Sequence, residues 1–204
     1  MCLKAELIFS IEINFLYYNN NMNKLILVDG IQAVGKTTFC KSLNKPVIHG
    51  LSYLGYDITT YLNFSRKKRI YDGFNSICKA IIENIDKNVI IDRSILSSLY
   101  FAGGYEEQLK ILKSKKLYFL YESYKQLFTI YYLYAKPETI LKRRIKRYEE
   151  LKNLPLNKEI LYKLDICKKS SINSIKQEKN KFDDVIEITK KKFPLISIKK
   201  INLE

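Results

Sequence analysis

Apolar and polar positions follow two different periods along this chain, and the switches between them outline its elements. Leu25-Ile26-Leu27-Val28-Asp29 is a continuous apolar run closed by an acid, which predicts a strand buried on both faces. A helix-compatible run to Ser42 follows Gly35, and Asn44-Lys45-Pro46 then breaks the pattern ahead of a short strand at Val47-Ile48-His49. Residues 57–64 read as helical. Over residues 71–86, Phe74, Ile77, Cys78, Ile81, Ile82 and Ile85 recur at the three- and four-residue spacing of one helical face. Residues 88–92 predict another buried strand, again closed by an acid, with helices after Ser94 and, beyond Gly103-Gly104, over 106–124. The apolar, aromatic stretch 128–134 predicts a strand, and Pro137 suits the first turn of the helix behind it. Residues 157–181 read as one lysine-rich helix, 185–188 as a late strand, and 195–203 as a further strand or a tail.

Strand and helix patterns therefore alternate, and the economical way to bury such strands is an α/β architecture, a parallel sheet covered by helices. Ligands of such sheets bind at the carboxyl ends of the strands. That rule gathers Gly30 to Thr37, His49, Asp92 and the start of the helix after Pro137 around one cleft. Residues 22–204 are expected to form a single domain. Residues 1–21 look appended, with Met22 as a candidate start. A rival reading makes residues 8–15 an extra edge strand, because Phe9, Ile11, Ile13 and Phe15 alternate with polar positions.

The stretch between the first strand and its helix carries the most specific chemistry. Gly30-x-x-x-x-Gly35-Lys36-Thr37 has the spacing of a phosphate-binding P-loop, in the strand-then-helix setting that such a loop needs. The backbone of Gly30, Ala33, Val34, Gly35, Lys36, Thr37 and Thr38 would cradle nucleotide phosphates at a positive helix end. Lys36 would reach the β and γ oxygens, and the Thr37 hydroxyl would hold Mg²⁺. Asp92 would orient the same Mg²⁺ or take a proton, although with Ser94 it also suits a plain helix cap. Arg93 offers a planar fork for a phosphate or the acceptor's 5′ oxygen. Arg143 and Arg147 lie four apart on one helical face, with Arg144 partly aside, and could neutralise a transferring phosphoryl group.

Charge and cysteines change this picture little. The 204 residues suffice for one substantial core. A net charge of +15 favours anionic partners, nucleotide or nucleic acid, but the abundance of lysine, isoleucine, asparagine and tyrosine points to a general compositional bias. Nucleic acid is therefore a minority expectation, and the run Arg66-Lys67-Lys68-Arg69 reads as a solvated face. Cys2, Cys40, Cys78 and Cys167 form no Cys-x-x-Cys pair, which suggests reduced thiols in an intracellular protein rather than a zinc site. The apolar stretch 7–18 is too short to span a bilayer, so no membrane association is expected.

Taken together, Val28-Asp29-Gly30 with Gly35-Lys36-Thr37-Thr38, Asp92-Arg93-Ser94 with Ser97 and Tyr100, and Pro137-Glu138 leading to Arg143 and Arg147 resemble the thymidylate kinase and deoxynucleoside kinase branch of P-loop kinases, including its phage-type members. The resemblance covers about residues 24–190 and implies a three-layer fold with a five-stranded parallel sheet and a helical lid. It also implies ATP and Mg²⁺ as donor system, an acceptor held by Arg93, a mobile lid bearing Arg143 and Arg147, and a homodimer. Asn75 and Tyr100 are the implied substrate-binding candidates, with Tyr53 as another aromatic wall. Deoxynucleoside kinases place a glutamate at the end of the second strand, where this chain has His49-Gly50. A monophosphate acceptor is already an oxyanion and needs no base, so the missing acid favours a (deoxy)nucleoside monophosphate such as dTMP over a nucleoside. His49 itself reads as structural.

Two rival readings come from other classes. Asn180-Lys181-Phe182-Asp183 matches a guanine-reading pattern of GTPases, but it precedes rather than follows a predicted strand. A non-catalytic nucleotide- or nucleic-acid-binding protein would use the basic charge alone, and a 5′-end polynucleotide kinase stands between that reading and the kinases.

Overall fold

The computed structural model describes residues 25–204, so the predicted edge strand at residues 8–15 and the candidate start at Met22 lie outside the described residues. Five parallel strands form one sheet in the order β2-β3-β1-β4-β5: β1 Leu25–Asp29, β2 Val47–His49, β3 Ile90–Asp92, β4 Phe128–Tyr134 and β5 Ser197–Asn202. Leu25, Leu27, Val28, Ile90, Ile91, Ile130 and Leu133 are fully buried, as continuous apolar runs require when helices cover both faces. The chain leaves β1 for β2 on one side and later returns to β4 on the other. β1 thus sits at the point where the strand order reverses, and the crevice beyond its carboxyl end is the natural ligand site.

The helices are α1 Lys36–Ser42, α2 Ile58–Asn63, α3 Arg66–Ile82, α4 Ile95–Ala102, α5 Tyr105–Leu112, α6 Lys115–Tyr124, α7 Pro137–Leu151, α8 Lys158–Lys168 and α9 Ile172–Lys192. Several differ from the sequence expectation for local reasons. The helix expected from residue 71 starts at Arg66, because Ser65 caps it by accepting from Lys68 N–H. The basic run Arg66 to Arg69 is therefore its first turn. The stretch 106–124 divides where Ser114 caps α6, and 157–181 divides where Ser171 and Ser174 exchange hydrogen bonds in a capping box. Residues 185–188 are helical, not a strand. Phe182, Val185, Ile186 and Thr189 are the buried face of α9, and a four-residue apolar window cannot separate that face from a strand. The fifth strand is 197–202 instead, paired in register with β4 from Thr129↔Ser197 to Tyr134↔Asn202. No helix among the described residues is long and apolar enough to cross a membrane.

Candidate active site

β1 delivers Asp29 to the base of the crevice, fully buried, and its carboxylate gathers five donors. Oδ1 accepts from Gly30 N–H (2.8 Å) and Ser97 Oγ (2.7 Å); Oδ2 accepts from Ser94 N–H (3.1 Å), Ser94 Oγ (2.7 Å) and Ser97 N–H (2.9 Å). Charge-assisted bonds of this number offset the cost of burying the ion and tie the start of the loop to the first turn of α4. Ser94 and Ser97 are thus explained by Asp29. Sequence reasoning treated Asp29 only as the end of a strand, although an acid closing an apolar strand is the same signal that singled out Asp92.

The loop between β1 and α1 has the shape its glycines require. Gly30 has φ +146°, and a Cβ there would lie 2.6 Å from the Leu133 carbonyl oxygen, so no other residue fits without moving β4. Lys36 Nζ donates to Gly30 O (2.7 Å) and Ile31 O (3.0 Å). Burial lowers its pKa to about 8; Arg93 and, more weakly, Arg147 push the same way, while Asp29 and Asp92 push back. The four charged groups thus act on Lys36 together, although their sequence positions span 29 to 147. The Thr37 hydroxyl is exposed at the start of α1.

α7 touches this loop with two arginines. Arg143 Nη1 donates to Val34 O (2.5 Å) and Nη2 to Leu203 O (3.2 Å). Arg144, 1% exposed, donates through Nε (3.3 Å) and Nη2 (3.2 Å) to Gln32 O. Its fork also meets both oxygens of Glu178 and the Ser170 hydroxyl. This corrects two expectations. Arg143 is not a free lid group, because its guanidinium is committed to backbone carbonyls. Arg144, set aside from sequence, reaches the loop, because α7 packs along it and brings adjacent positions into contact. Arg147 is half-buried and forms no ion pair among the described residues; its charge reaches Lys36.

Asp92 ends β3 in register with His49 of β2, and His49 Nδ1 lies 3.3 Å from Asp92 Oδ2. Sequence could name no partner for His49; parallel pairing of two strands supplies one. The other carboxylate oxygen, Asp92 Oδ1, is buried without a hydrogen-bond partner among the described residues. An orphaned carboxylate oxygen and the Thr37 hydroxyl are hard oxygen donors. That set fits Mg²⁺, which takes one or two protein oxygens and completes its shell with phosphates and water.

Next to Asp92, Arg93 sits at φ +115°, a conformation that costs a non-glycine residue about 1–3 kcal/mol and clusters at functional sites. Its Nη1 makes one long bond, 3.4 Å to Ser97 Oγ. Tyr61 of α2 donates to the Arg69 backbone oxygen (2.8 Å), and the charges of both Arg69 and Arg93 bear on its ring hydroxyl, which burial pushes up in pKa. Arg69 Nε is buried without a partner, and neither guanidinium meets a carboxylate among the described residues. Arg69 was missed because it closes a run of four basic residues; only the helical phase separates it from the exposed Lys67 and Lys68.

The remaining candidates lie elsewhere. Asn75 is exposed, accepts from Lys116 Nζ (2.7 Å) and lines a cavity of about 390 Å³ whose other walls, Tyr53 and Lys79 among them, include no residue of the loop. The Tyr100 ring stacks on Phe182 at 4.3 Å, and burial pushes its pKa to about 12; it belongs to the packing between α4 and α9. Tyr53 holds Asn84. The Asn180 to Asp183 pattern lies within α9, where Phe182 is core and Asp183 pairs with Lys179 and Lys200, so it presents no loop to a base.

Among solved structures, the chain is similar to the YorR protein from Bacillus subtilis, solved in complex with phosphorylated GDP. Identity is 21% and the TM-score 0.50, over 88% of this chain and 85% of that one. The five-stranded parallel sheet, the loop after β1 and this likeness agree. The chain shares that protein's fold, here a five-stranded parallel sheet covered by helices with a loop of P-loop spacing after β1. A deoxyadenosine kinase from M. mycoides with bound dCTP also matches, at 18% identity and a TM-score of 0.47 over 88% of this chain and 91% of that one. No protein-family model and no curated protein matches the chain.

Proposed function

We propose that the protein transfers the γ-phosphoryl group of ATP to a nucleotide, in the simplest case a (deoxy)nucleoside monophosphate such as dTMP. The observation that carries this reading is the pair of guanidinium groups, Arg69 and Arg93, whose charges both bear on Tyr61 and which have no carboxylate partner among the described residues. Guanidinium forks with unused donors in a half-buried site match a phosphate dianion, which an acceptor monophosphate supplies and a nucleoside does not. An acceptor phosphate oxygen attacks the γ-phosphorus, the bond to the β–γ bridging oxygen breaks, and ADP leaves. Lys36 exchanges its two carbonyl partners for phosphate oxygens, and Arg147 adds positive charge beside it. Thr37 and Asp92 would hold Mg²⁺, which neutralises charge on the β- and γ-phosphates when bound.

A second reading has an observation of its own. A hydroxyl acceptor must lose a proton, and His49 beside Asp92 stands at the strand ends where such a group is needed. A phosphoryl-transfer screen with ATP and Mg²⁺ against nucleosides, nucleoside monophosphates and a 5′-hydroxyl oligonucleotide separates the readings. Diphosphate product from monophosphates is the expected result; product from nucleosides alone moves the assignment to a deoxynucleoside kinase. ATP bound without transfer to any acceptor would leave a non-catalytic nucleotide-binding protein. The homodimer implied by the resemblance is tested by sedimentation.

A further inference from the structure

Arg143 and Arg144 occupy consecutive positions on α7 and hold alternate carbonyls of the loop, Val34 O and Gln32 O. A trans peptide is planar, with its C=O and N–H pointing in opposite directions, and the described residues contain no cis bond. Holding Gln32 O toward α7 therefore turns the N–H of Ala33 away from it, and holding Val34 O does the same for the N–H of Gly35. Positive φ values at Ala33 (65°) and Gly35 (114°) let these alternate peptides face one way. The N–H between them, on Val34, is taken internally by Ile31 O at 3.4 Å, whereas those of Ala33 and Gly35 meet no acceptor among the described residues. Two like-directed free donors are what a phosphate oxygen needs.

The arginines are themselves braced. Arg144 spans both oxygens of Glu178 (2.9 and 2.7 Å) and the Ser170 hydroxyl (2.9 Å), so α9 and the turn before it hold the fork that holds the loop. Arg143 is steadied by Leu203 O beyond β5.

We propose that Arg143 and Arg144 are positioning residues, which set the phosphate-facing side of the loop by gripping the Val34 and Gln32 carbonyls from behind. They do not stabilise the transferred group by contact. This deepens, and rests on, the reading that the loop binds nucleotide. Geometry and charge are separable because lysine keeps the charge and loses the fork.

The experiment measures Mg·ATP binding by calorimetry, without acceptor, on wild type, Arg143→Lys and Arg144→Lys, each shown folded by circular dichroism. Both variants are expected to raise the ATP Kd by about tenfold or more, equivalent to about 1.4 kcal/mol, with the acceptor Kd unchanged. Wild-type ATP affinity in the folded lysine variants overturns the proposal, even if their melting temperatures fall, since a merely structural role predicts that pattern. Should Arg144→Lys not fold, Glu178→Gln loosens its brace while leaving the arginine in place. A smaller rise in ATP Kd there, beside the full effect in Arg143→Lys, supports the proposal; unchanged affinity in both overturns it. ATP binding is read without turnover, so absence of transfer to every acceptor would defeat the kinase reading alone. Absence of ATP binding by the wild type would defeat the loop reading and this proposal with it.

Discussion

On the loop side of the crevice the charged side chains are committed: Asp29 accepts five hydrogen bonds, Lys36 holds two carbonyls, and Arg143 and Arg144 clamp the loop from α7. Around the end of β3 and the first turn of α3, Arg69 and Arg93 are half-buried with donors to spare, and Asp92 keeps one buried oxygen unpaired. A buried donor or acceptor without a partner costs about 1–3 kcal/mol, so Arg69 Nε and Asp92 Oδ1 burden the fold there, as Gln32 Oε1 does in the loop. The charged side chains of the loop side are held by their own network. The β3 and α3 side holds unpaired guanidinium donors that an anionic ligand would satisfy. That division suits a donor site built to hold one constant group and an acceptor site whose selectivity comes from what completes it.

The comparison breaks most readily at Lys36. Lys36→Ala should lower phosphoryl-transfer turnover about 100- to 1000-fold, the scale of losing one positioned charge-stabilising donor; wild-type turnover in a steady-state assay would remove the loop from the mechanism. Asp29→Asn is expected to cost about 2–3 kcal/mol in urea unfolding. Whichever way the amide turns, its NH₂ faces a backbone N–H, of Gly30 or of Ser94 and Ser97. An unchanged midpoint and slope would show that the network is not the brace described. Arg69→Ala and Arg93→Ala should each raise the acceptor KM about 10-fold or more, while the ATP KM moves less than about twofold, since only the acceptor side loses a fork. Equal effects on both substrates would erase the distinction between the two sides. Smallest of all, Asn75→Ala should change either KM by less than about twofold, because its amide serves Lys116 at the surface; a selective loss for one base would return Asn75 to the site.

Much of this site was legible along the chain because it is local. The loop spacing fixes four residues across eight consecutive positions, and β1 and β3 each end in an acid, so Gly30, Lys36, Thr37 and Asp92 stand out without a fold. Elements bounded by apolar runs were legible too, β1, β3 and β4 among them. The apolar face of α9 was not, since four residues of a buried helix and four of a buried strand look alike until their neighbours are known. Nor was Arg69, which a basic run conceals until the phase of α3 turns it inward.

Sequence alone thus determined that a loop with P-loop spacing follows a buried strand in an alternating β/α chain, because those features depend on residue types at short separations. Which side chains meet the loop was decided only in three dimensions. Arg143 and Arg144 are more than a hundred residues from the carbonyls they hold, and His49 reaches Asp92 through the register of two parallel strands. Asp29 finds Ser94 and Ser97 across the start of α4. Contacts of that kind are set by how helices and strands pack, and no spacing along the chain encodes them.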